Sequence, residues 1–498
     1  MTTLVDDPLS TTDWPAIAAS VRDSWDLMIG GTPRSGALRT ILSPRDGAPF
    51  TKAGWAQPAD VDAAVQAART AFDTGAWPRL HPRERGAVLR RLAELVECHR
   101  AELATLISLE MGKPIRDSYR IELPALISCL RFYAGAAEQA DGQLPPTVEG
   151  ELALVSREPA GVVGAVVPWN FPLTLAGWKF AAALAAGCTV VLKVSEQSPI
   201  SMLRVAELAT EAGLPAGALS VLTGDGEVTG RRLGEHPDVD VLTFTGSTAV
   251  GRHYLRYSAD SNLKRVYLEL GGKSPNIILP DAPDLDAAAD TAAWAIFFNS
   301  GQMCTAGSRL VLHEDIADQV LRRILDRLGD WQPGDPLDPA TRIGPLASSA
   351  QLDRVLGHLR AGIGHGARLL AGGRRLDRPG SYLEPTVLSE LAADNPAVRD
   401  EIFGPVLAVQ RVRDLDEAIR VAGDTPYGLA AAVWTSDLRT AHRVARRLRA
   451  GTVWVNCYEE GDMSVPFGGV KLSGFGRDKS SHALDKFSDL KTTWINYG

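Results

Sequence analysis

Apolar positions along this 498-residue chain change their period several times. Val61, Ala64, Val65, Ala68 and Phe72 recur at helical spacing and predict one amphipathic helix. Leu89, Leu92, Val96, Leu103 and Leu106 form a second stripe, read as one long helix, and residues 124–139 a third helical stretch. Ahead of them, residues 1–58 are rich in Gly, Pro and Asp and predict an irregular arm with short strands at 25–29 and 38–41. From residue 161 the period shortens. Apolar runs at 161–167, 189–192, 219–222, 239–244 and 265–270 predict buried strands separated by helices. Two of those helices are expected at 173–186 and 198–215; Ser198 is placed as N-cap of the second, Pro199 as its first residue, and Gly213 and Pro215 as its stop. Such alternation implies right-handed crossovers and a mostly parallel sheet covered on both faces. A second α/β block follows, with strands expected at 310–313, 406–412, 430–434 and 452–456 and helices at 316–328, 348–361, 415–422 and 438–448. Residues 491–495 alternate as a last strand, of the kind that completes a sheet elsewhere in the chain or in another subunit.

The length exceeds what one hydrophobic core fills, so two or three domains are expected. Hydrophobic residues at 45% and charged residues at 22% are ordinary for a soluble globular protein, and the net charge of −8 argues against nucleic acid as the main partner. No apolar run reaches the length of a membrane span. The start, Met1-Thr2-Thr3-Leu4-Val5-Asp6-Asp7, has no basic or apolar leader, so a cytoplasmic location is expected. Cys98, Cys129, Cys188, Cys304 and Cys457 are scattered and odd in number, which suits a reducing compartment rather than a disulfide framework. The nine histidines are dispersed and no Cys-x-x-Cys or His-Glu-x-x-His occurs, so no metal is expected.

Several residues invite chemistry. Cys304 stands in Phe298-Asn299-Ser300-Gly301-Gln302-Met303-Cys304-Thr305-Ala306-Gly307-Ser308-Arg309, among small and polar neighbours. A free cysteine is usually a small buried hydrophobe; this setting favours reactivity, because flanking glycines let backbone amides approach whatever the sulfur attacks. Glu269 ends a β run between Leu268 and Leu270. Either a lysine pairs with it, or burial raises its pKa so that it serves as a base. Asn170, between Trp169 and Phe171, is either a rigid donor to a developing oxyanion or a bond to a turn's backbone. The first of the parallel strands is not followed by G-x-G-x-x-G. Phe244-Thr245-Gly246-Ser247-Thr248-Ala249-Val250-Gly251 instead leaves the fourth strand and opens a helix, where N–H groups suit a pyrophosphate; a plain turn capped by Ser247 is the other reading. In Lys193-Val194-Ser195-Glu196, after the second strand, the acid suits a ribose diol, or the two charges simply pair at the surface.

Taken together, these residues and their order resemble the NAD(P)-dependent aldehyde dehydrogenases over about residues 20–496. The matching motifs are Pro168-Trp169-Asn170-Phe171-Pro172, residues 244–251, Leu268-Glu269-Leu270-Gly271-Gly272, residues 301–309, Glu401-Ile402-Phe403-Gly404-Pro405 and Pro466-Phe467-Gly468-Gly469. The tail, in residues 465–476, Arg477-Asp478-Lys479-Ser480, His482-Ala483-Leu484 and residues 491–495, resembles most the γ-glutamyl-γ-aminobutyraldehyde dehydrogenases. The resemblance implies an α/β fold with a Rossmann-type cofactor domain at 1–139 and 159–270, a catalytic domain at 271–470 and a bridging β element at 140–158 and 471–498. It implies Cys304 as nucleophile, Asn170 as oxyanion donor, Glu269 as the base that activates water, and Lys179 with Asp478 as a polar relay to Glu269. Relatives often carry Glu at the latter position, so Asp478 is a shorter reach. Val167, Pro168, Trp169, Lys193, Glu196, Gly226, Phe244, Thr245, Gly246, Ser247, Val250, Leu270, Glu401 and Phe403 are the implied cofactor residues, with NAD favoured over NADP because Glu196 repels a 2′-phosphate. Val194 replaces the usual proline and frees φ in that loop. Phe171, Leu175, Trp178, Met303, Thr305 and Phe467 are the implied substrate residues. Glu122, Glu459 and Glu460, with Asp462 nearby, are placed at the tunnel mouth, where acids attract an amino-bearing aldehyde or are ordinary loop charges. A homodimer or homotetramer is implied. The rivals are a CoA-acylating semialdehyde dehydrogenase, against which Glu269 argues, and a non-catalytic relative, which would be expected to lose Cys304 or Glu269.

Overall fold

The computed structural model describes residues 8–139 and 141–498. Residues 1–7, where the leader reading falls, and Ala140, the first residue of the expected bridging segment, lie outside the described residues. Eight strands form one sheet, in the order Gly474–Phe475, Arg265–Glu269, Val241–Thr245, Val162–Val166, Thr189–Val194, Leu219–Thr223, Leu27–Ile29 and Thr32–Arg34. The five from Arg265–Glu269 to Leu219–Thr223 run parallel; the edge strands add antiparallel. Four of the five are buried at every position, as their unbroken apolar runs require, since helices cover both faces. Among the five, Val162–Val166 comes first in the chain. Two later strands add on one side of it and two on the other. The order therefore reverses between Val162–Val166 and Val241–Thr245, the place where open parallel sheets bind ligands beyond their carboxyl ends.

A second sheet has seven strands, Arg368–Ala371, Thr386–Ser389, Val406–Val412, Arg309–His313, Pro275–Ile278, Ala430–Trp434 and Thr452–Val455, parallel except for the first pair. Ser488–Asn496 pairs antiparallel with Glu151–Pro159 in a two-stranded ribbon, and Ser24–Trp25, Pro49–Gly54 and Leu38–Leu42 form a small third sheet. Gly474–Phe475, placed with the bridging element from sequence, is an edge of the first sheet.

The structure departs from the expected elements in physically telling places. The stripe from Leu89 to Leu106 belongs to two helices, Pro82–Cys98 and Arg100–Met111, because His99 leaves helical geometry at ψ 18°. The run near residues 25–29 serves two sheets, through Ser24–Trp25 and Leu27–Ile29. Ser198 is not an N-cap: its hydroxyl has no partner, and the helix is Ile200–Glu211. The free N–H groups of Ile200 and Ser201 go instead to the buried carboxyl group of Glu110, at 2.6 and 3.3 Å. Glu151–Pro159, Pro275–Ile278, Leu285–Phe297, Arg368–Ala371 and Thr386–Ser389 were not expected from the pattern. In Leu285–Phe297 the buried face is mostly alanine, which blurs the stripe.

Candidate active site

Cys304 is delivered to the cleft by a strained turn. The helix Leu285–Phe297 runs into Phe298–Gly301, where Asn299 (φ 52°) and Ser300 (φ 57°) both take left-handed backbone that costs about 1–3 kcal/mol each. Buried bonds hold it there: Asn299 Nδ2 donates to the carbonyls of Asn170 (3.1 Å) and Gln302 (3.2 Å), and Ser300 Oγ to Gly344 O (2.8 Å). On the far side, a Cβ at Gly272 would stand 2.3 Å from the Cys304 carbonyl, so only glycine lets the two segments meet. The thiol is not acidified. Burial pushes its pKa up, and Glu459, Glu401 and Glu269 add to this, against the pull of the thiol's own backbone N–H.

One cleft brings Cys304 together with Pro168, Trp169, Asn170, Leu175, Thr245, Gly246, Ser247, Glu269, Leu270, Glu401 and Phe403. It lies at the reversal of strand order described above. Glu269 ends the strand Arg265–Glu269, buried, with both carboxylate oxygens lacking any protein partner. Burial, then the nearby Asp478, raises its pKa well above the usual carboxylate range, against the pull of Lys179, Lys486 and Arg477. Lys179 and Asp478 do meet, at 3.0 Å, and Lys179 Nζ also donates to Thr243 Oγ1 at 3.2 Å. The other oxygen of Asp478 is held by Lys486. Asp478 is thus clasped by two lysines and makes no hydrogen bond to Glu269; its link to that residue is electrostatic.

The Asn170 side chain donates to the Gln302 carbonyl at 2.9 Å, two residues before Cys304. An amide carries two N–H groups, so one remains for a ligand. Glu122 is not at a tunnel mouth. It is wholly buried, paired with Lys113, and accepts from Leu173 N–H at 3.0 Å at the start of the helix Pro172–Ala186. Met303 is also buried, in the core cluster that includes Phe298 and Ile296.

On the cofactor side, Ser247 Oγ caps the helix Thr248–Ala259 by accepting from Val250 N–H at 3.3 Å, while the Thr245 hydroxyl is buried without a partner. Phe244 turns away to pack on Tyr254, with centroids 4.9 Å apart, and contributes backbone alone. Val167 N–H donates to the Lys193 carbonyl, and Lys193 Nζ pairs with Glu196 at 3.1 Å at the end of the neighbouring strand. Gly226 begins a turn after Leu219–Thr223. Glu401 accepts from Gly272 N–H at 3.0 Å and, mainly through burial, has its pKa pushed up to about 7. Phe403 sets its ring edge-to-face on Trp169 at 5.5 Å. A helix N-terminus for an anion, two carboxylates for ribose hydroxyls and an aromatic wall fit an adenine dinucleotide.

On the substrate side, Trp178 and Phe467 pack at 5.1 Å, and Phe171 faces Phe298 at 6.2 Å. Glu459 meets the Thr305 side chain, one residue past the thiol, and its pKa is pushed up to about 7, chiefly by burial. It also borders a cavity of about 820 Å³ lined by Trp294, Trp331, Trp434, Cys457, Tyr458 and Glu460. Asp462 is held within its own loop by the Ser464 N–H.

A family model described as the aldehyde dehydrogenase family matches residues 33–493. The chain belongs to the aldehyde dehydrogenase family. Its reaction is accordingly the oxidation of an aldehyde to the acid with a nicotinamide cofactor. The NADP/NAD-dependent aldehyde dehydrogenase PuuC of Escherichia coli (strain K12) is 49% identical over 455 residues, covering 91% of this chain and 92% of that one. The solved gamma-glutamyl-gamma-aminobutyraldehyde dehydrogenase of Burkholderia cenocepacia J2315 is 52% identical with a TM-score of 0.96, covering 98% of this chain and 100% of that one. The indole-3-acetaldehyde dehydrogenase AldA of P. syringae, solved with NAD+ and IAA, is 48% identical with a TM-score of 0.96, covering 97% and 99%.

Some polar groups of this aldehyde dehydrogenase's site escape sequence reasoning. Lys486 lies in an ordinary tail segment, and Lys113 follows a helix-ending glycine, with nothing local to mark either. Gln351 and Arg354 line the cleft from the helix Ser349–Gly364. Their spacing of three puts both on one helix face, which was a signal, but only the fold shows where that face points. Among the described residues no cluster of three metal-binding side chains occurs, the five cysteines are free, and no helix is long and apolar enough to cross a membrane.

Proposed function

We propose that this aldehyde dehydrogenase works by covalent catalysis through Cys304, with hydrolysis of the acyl-enzyme by water activated at Glu269. The observation that carries the reading is that Cys304, Asn170 and Glu269 line one cleft, and that Glu269 presents two oxygens with no protein partner. Glu269, its proton affinity raised by burial, takes the thiol proton, and the sulfur adds to the aldehyde carbonyl. The resulting oxyanion accepts from the spare N–H of Asn170 and from Cys304 N–H; a donor of this kind is typically worth about 3–4 kcal/mol. Bound NAD supplies the hydride acceptor. Once Glu269 has given that proton to solvent, it takes a proton from water as that water attacks the thioester; the Cys304 thiolate leaves and regains a proton from Glu269. Thr245, Gly246, Ser247 and Val250 would hold the pyrophosphate, Lys193 and Glu196 the adenosine ribose, and Glu401 the other ribose. Trp169, Phe403 and Leu270 would wall the nicotinamide. Glu196 supports NAD over NADP, since it repels a 2′-phosphate.

The substrate we infer is an aldehyde with an aliphatic or aromatic stem and a nitrogen-bearing end. Leu175, Trp178, Phe171 and Phe467 suit the stem, and Glu459 suits an ammonium group. The relatives named for gamma-glutamyl-gamma-aminobutyraldehyde and indole-3-acetaldehyde support that breadth. The ribbon of Glu151–Pro159 and Ser488–Asn496 leaves Leu490, Trp494 and Ile495 exposed, which supports a homodimer or homotetramer joined there. The proposed domains are 1–139 with 159–270 for the cofactor, to whose sheet Gly474–Phe475 adds an edge strand, 271–470 for catalysis, and 140–158 with 476–498 for bridging; a cytoplasmic location goes with them. Turnover of ω-amino, n-alkyl and aromatic aldehydes, compared by kcat/KM in wild type and Glu459→Gln, tests the substrate. The acid must form without CoA. A strict CoA requirement, or a ranking untouched by Glu459→Gln, would respectively sink the hydrolytic and the amino-aldehyde readings.

A further inference from the structure

We propose that Lys113 and Glu122 are positioning residues that set the backbone of Asn170 and thereby aim its amide at the oxyanion; the inference rests on the assignment of Asn170 above. The two side chains are 1% and 0% exposed and form an ion pair inside the protein. Lys113 Nζ also donates to the Asn170 carbonyl at 3.1 Å and stands 3.7 Å above the Phe171 ring. Glu122 Oε1 accepts from the N–H groups of Leu173 (3.0 Å) and Thr174 (3.4 Å). The pair therefore brackets residues 170–174, with the cation on the carbonyl of 170 and the carboxylate on the first free N–H groups of the helix Pro172–Ala186.

The Asn170 carbonyl is one corner of a closed polar circuit. It accepts a second bond from Asn299 Nδ2, which also donates to the Gln302 carbonyl, and that carbonyl accepts from Asn170 Nδ2. The circuit ties the oxyanion donor to the strained turn that carries Cys304. Lys113 is its only charged member, and it reaches in from another part of the chain, just after Gly112 ends the helix Arg100–Met111. Burying two ions costs several kcal/mol each, and apolar side chains of the same size would fill the space at least as stably. What apolar groups would not supply is direction: one donor to a chosen carbonyl and one acceptor to chosen N–H groups. Catalytic geometry is sensitive to such direction, since a displacement of about 1 Å costs roughly 100-fold in rate.

A double-mutant cycle between Lys113→Met and Asn170→Ala decides the matter. Kinetics of aldehyde oxidation, NAD affinity, and the alkylation rate of the Cys304 thiol by iodoacetamide are measured, the last because it forms no oxyanion. Lys113→Met is expected to lower kcat/KM by about 100-fold, with NAD affinity and alkylation unchanged. Added to Asn170→Ala it should cost little more, because the amide it aims is already gone. Independent, multiplying losses, or a parallel fall in alkylation and NAD affinity, overturn the proposal. An Asn170→Ala enzyme as active as wild type overturns the assignment of Asn170 and the proposal with it. Glu122→Gln keeps the acceptor for Leu173 and Thr174 but removes the charge facing Lys113. Should Lys113→Met fail to fold, the same cycle with Glu122→Gln is read by the same criteria.

Discussion

Replacing Asp478 by Asn probes the electrostatics that make Glu269 a base. Asp478 is fully buried between Lys179, at 3.0 Å, and Lys486. Burial raises its pKa, but the two lysines more than offset this and hold it below the usual carboxylate range. Glu269 shows the opposite balance, with burial and then Asp478 raising it and the lysines failing to compensate. Asp478→Asn removes the repelling charge and leaves both cations facing Glu269, and both changes favour the ionised form. A neighbouring charge moves a carboxyl by about 1–3 pKa units, or about 1.4–4 kcal/mol. Glu269 should therefore ionise at lower pH in the variant. The assay acylates Cys304 with an aromatic ester and follows hydrolysis of the acyl-enzyme across pH. In wild type the rate should rise with pH as Glu269 loses its proton. In the variant the rise should move down by about 1 pH unit or more, to a lower plateau, because the base is weaker. Breaking a buried pair also costs about 3–5 kcal/mol of stability, so rates are compared well below the variant's unfolding temperature. A rise that stays in place or moves upward refutes this account of Glu269.

Two further outcomes are expected. A Cβ at Gly271 would stand 2.1 Å from a Glu401 carboxylate oxygen, so Gly271→Ala should displace that carboxylate and weaken NAD binding by about 1–3 kcal/mol, read by fluorescence titration; an unchanged affinity would remove Glu401 from the cofactor site. Glu110 has its pKa raised from 4.5 to about 8, chiefly by burial. The folded chain thus keeps a proton that the unfolded chain releases, so stability from this group is greatest below pH 4.5 and declines as pH rises toward about 8. Glu110→Gln should flatten that part of the melting-temperature profile, and an unaltered slope would exclude Glu110 as its source.

The two α/β blocks were legible because parallel strands buried on both faces leave long apolar runs, as in Val162–Val166 and Val241–Thr245. Cys304 and Glu269 stood out as candidates because a Gly-flanked thiol and a carboxylate between leucines break the local pattern, and the fold brings both to one cleft. What stayed hidden depends on partners distant in the chain. The cap on Ile200–Glu211 comes from Glu110 rather than Ser198, and a local rule sees only the serine. Glu122 resembled a mouth acid by position, yet Lys113 and the first turn of Pro172–Ala186 bury it. Lys486 is eight residues beyond Asp478 in an unremarkable tail, and only the folded backbone brings the two together. The alanine face of Leu285–Phe297 left too little contrast to mark the helix that leads to the nucleophile.

In the proposed mechanism Cys304 carries the acyl group and Glu269 releases it. Glu269→Gln enzyme mixed with NAD and a good aldehyde, then acid-quenched, digested and analysed by mass spectrometry, tests both at once. The mechanism predicts about one equivalent of NADH, formed more slowly than in wild type because the thiol has lost its base, with further turnover slower still and the acyl mass on the peptide that contains Cys304. Full turnover without an adduct, or an adduct on Cys98, Cys129, Cys188 or Cys457, would contradict it.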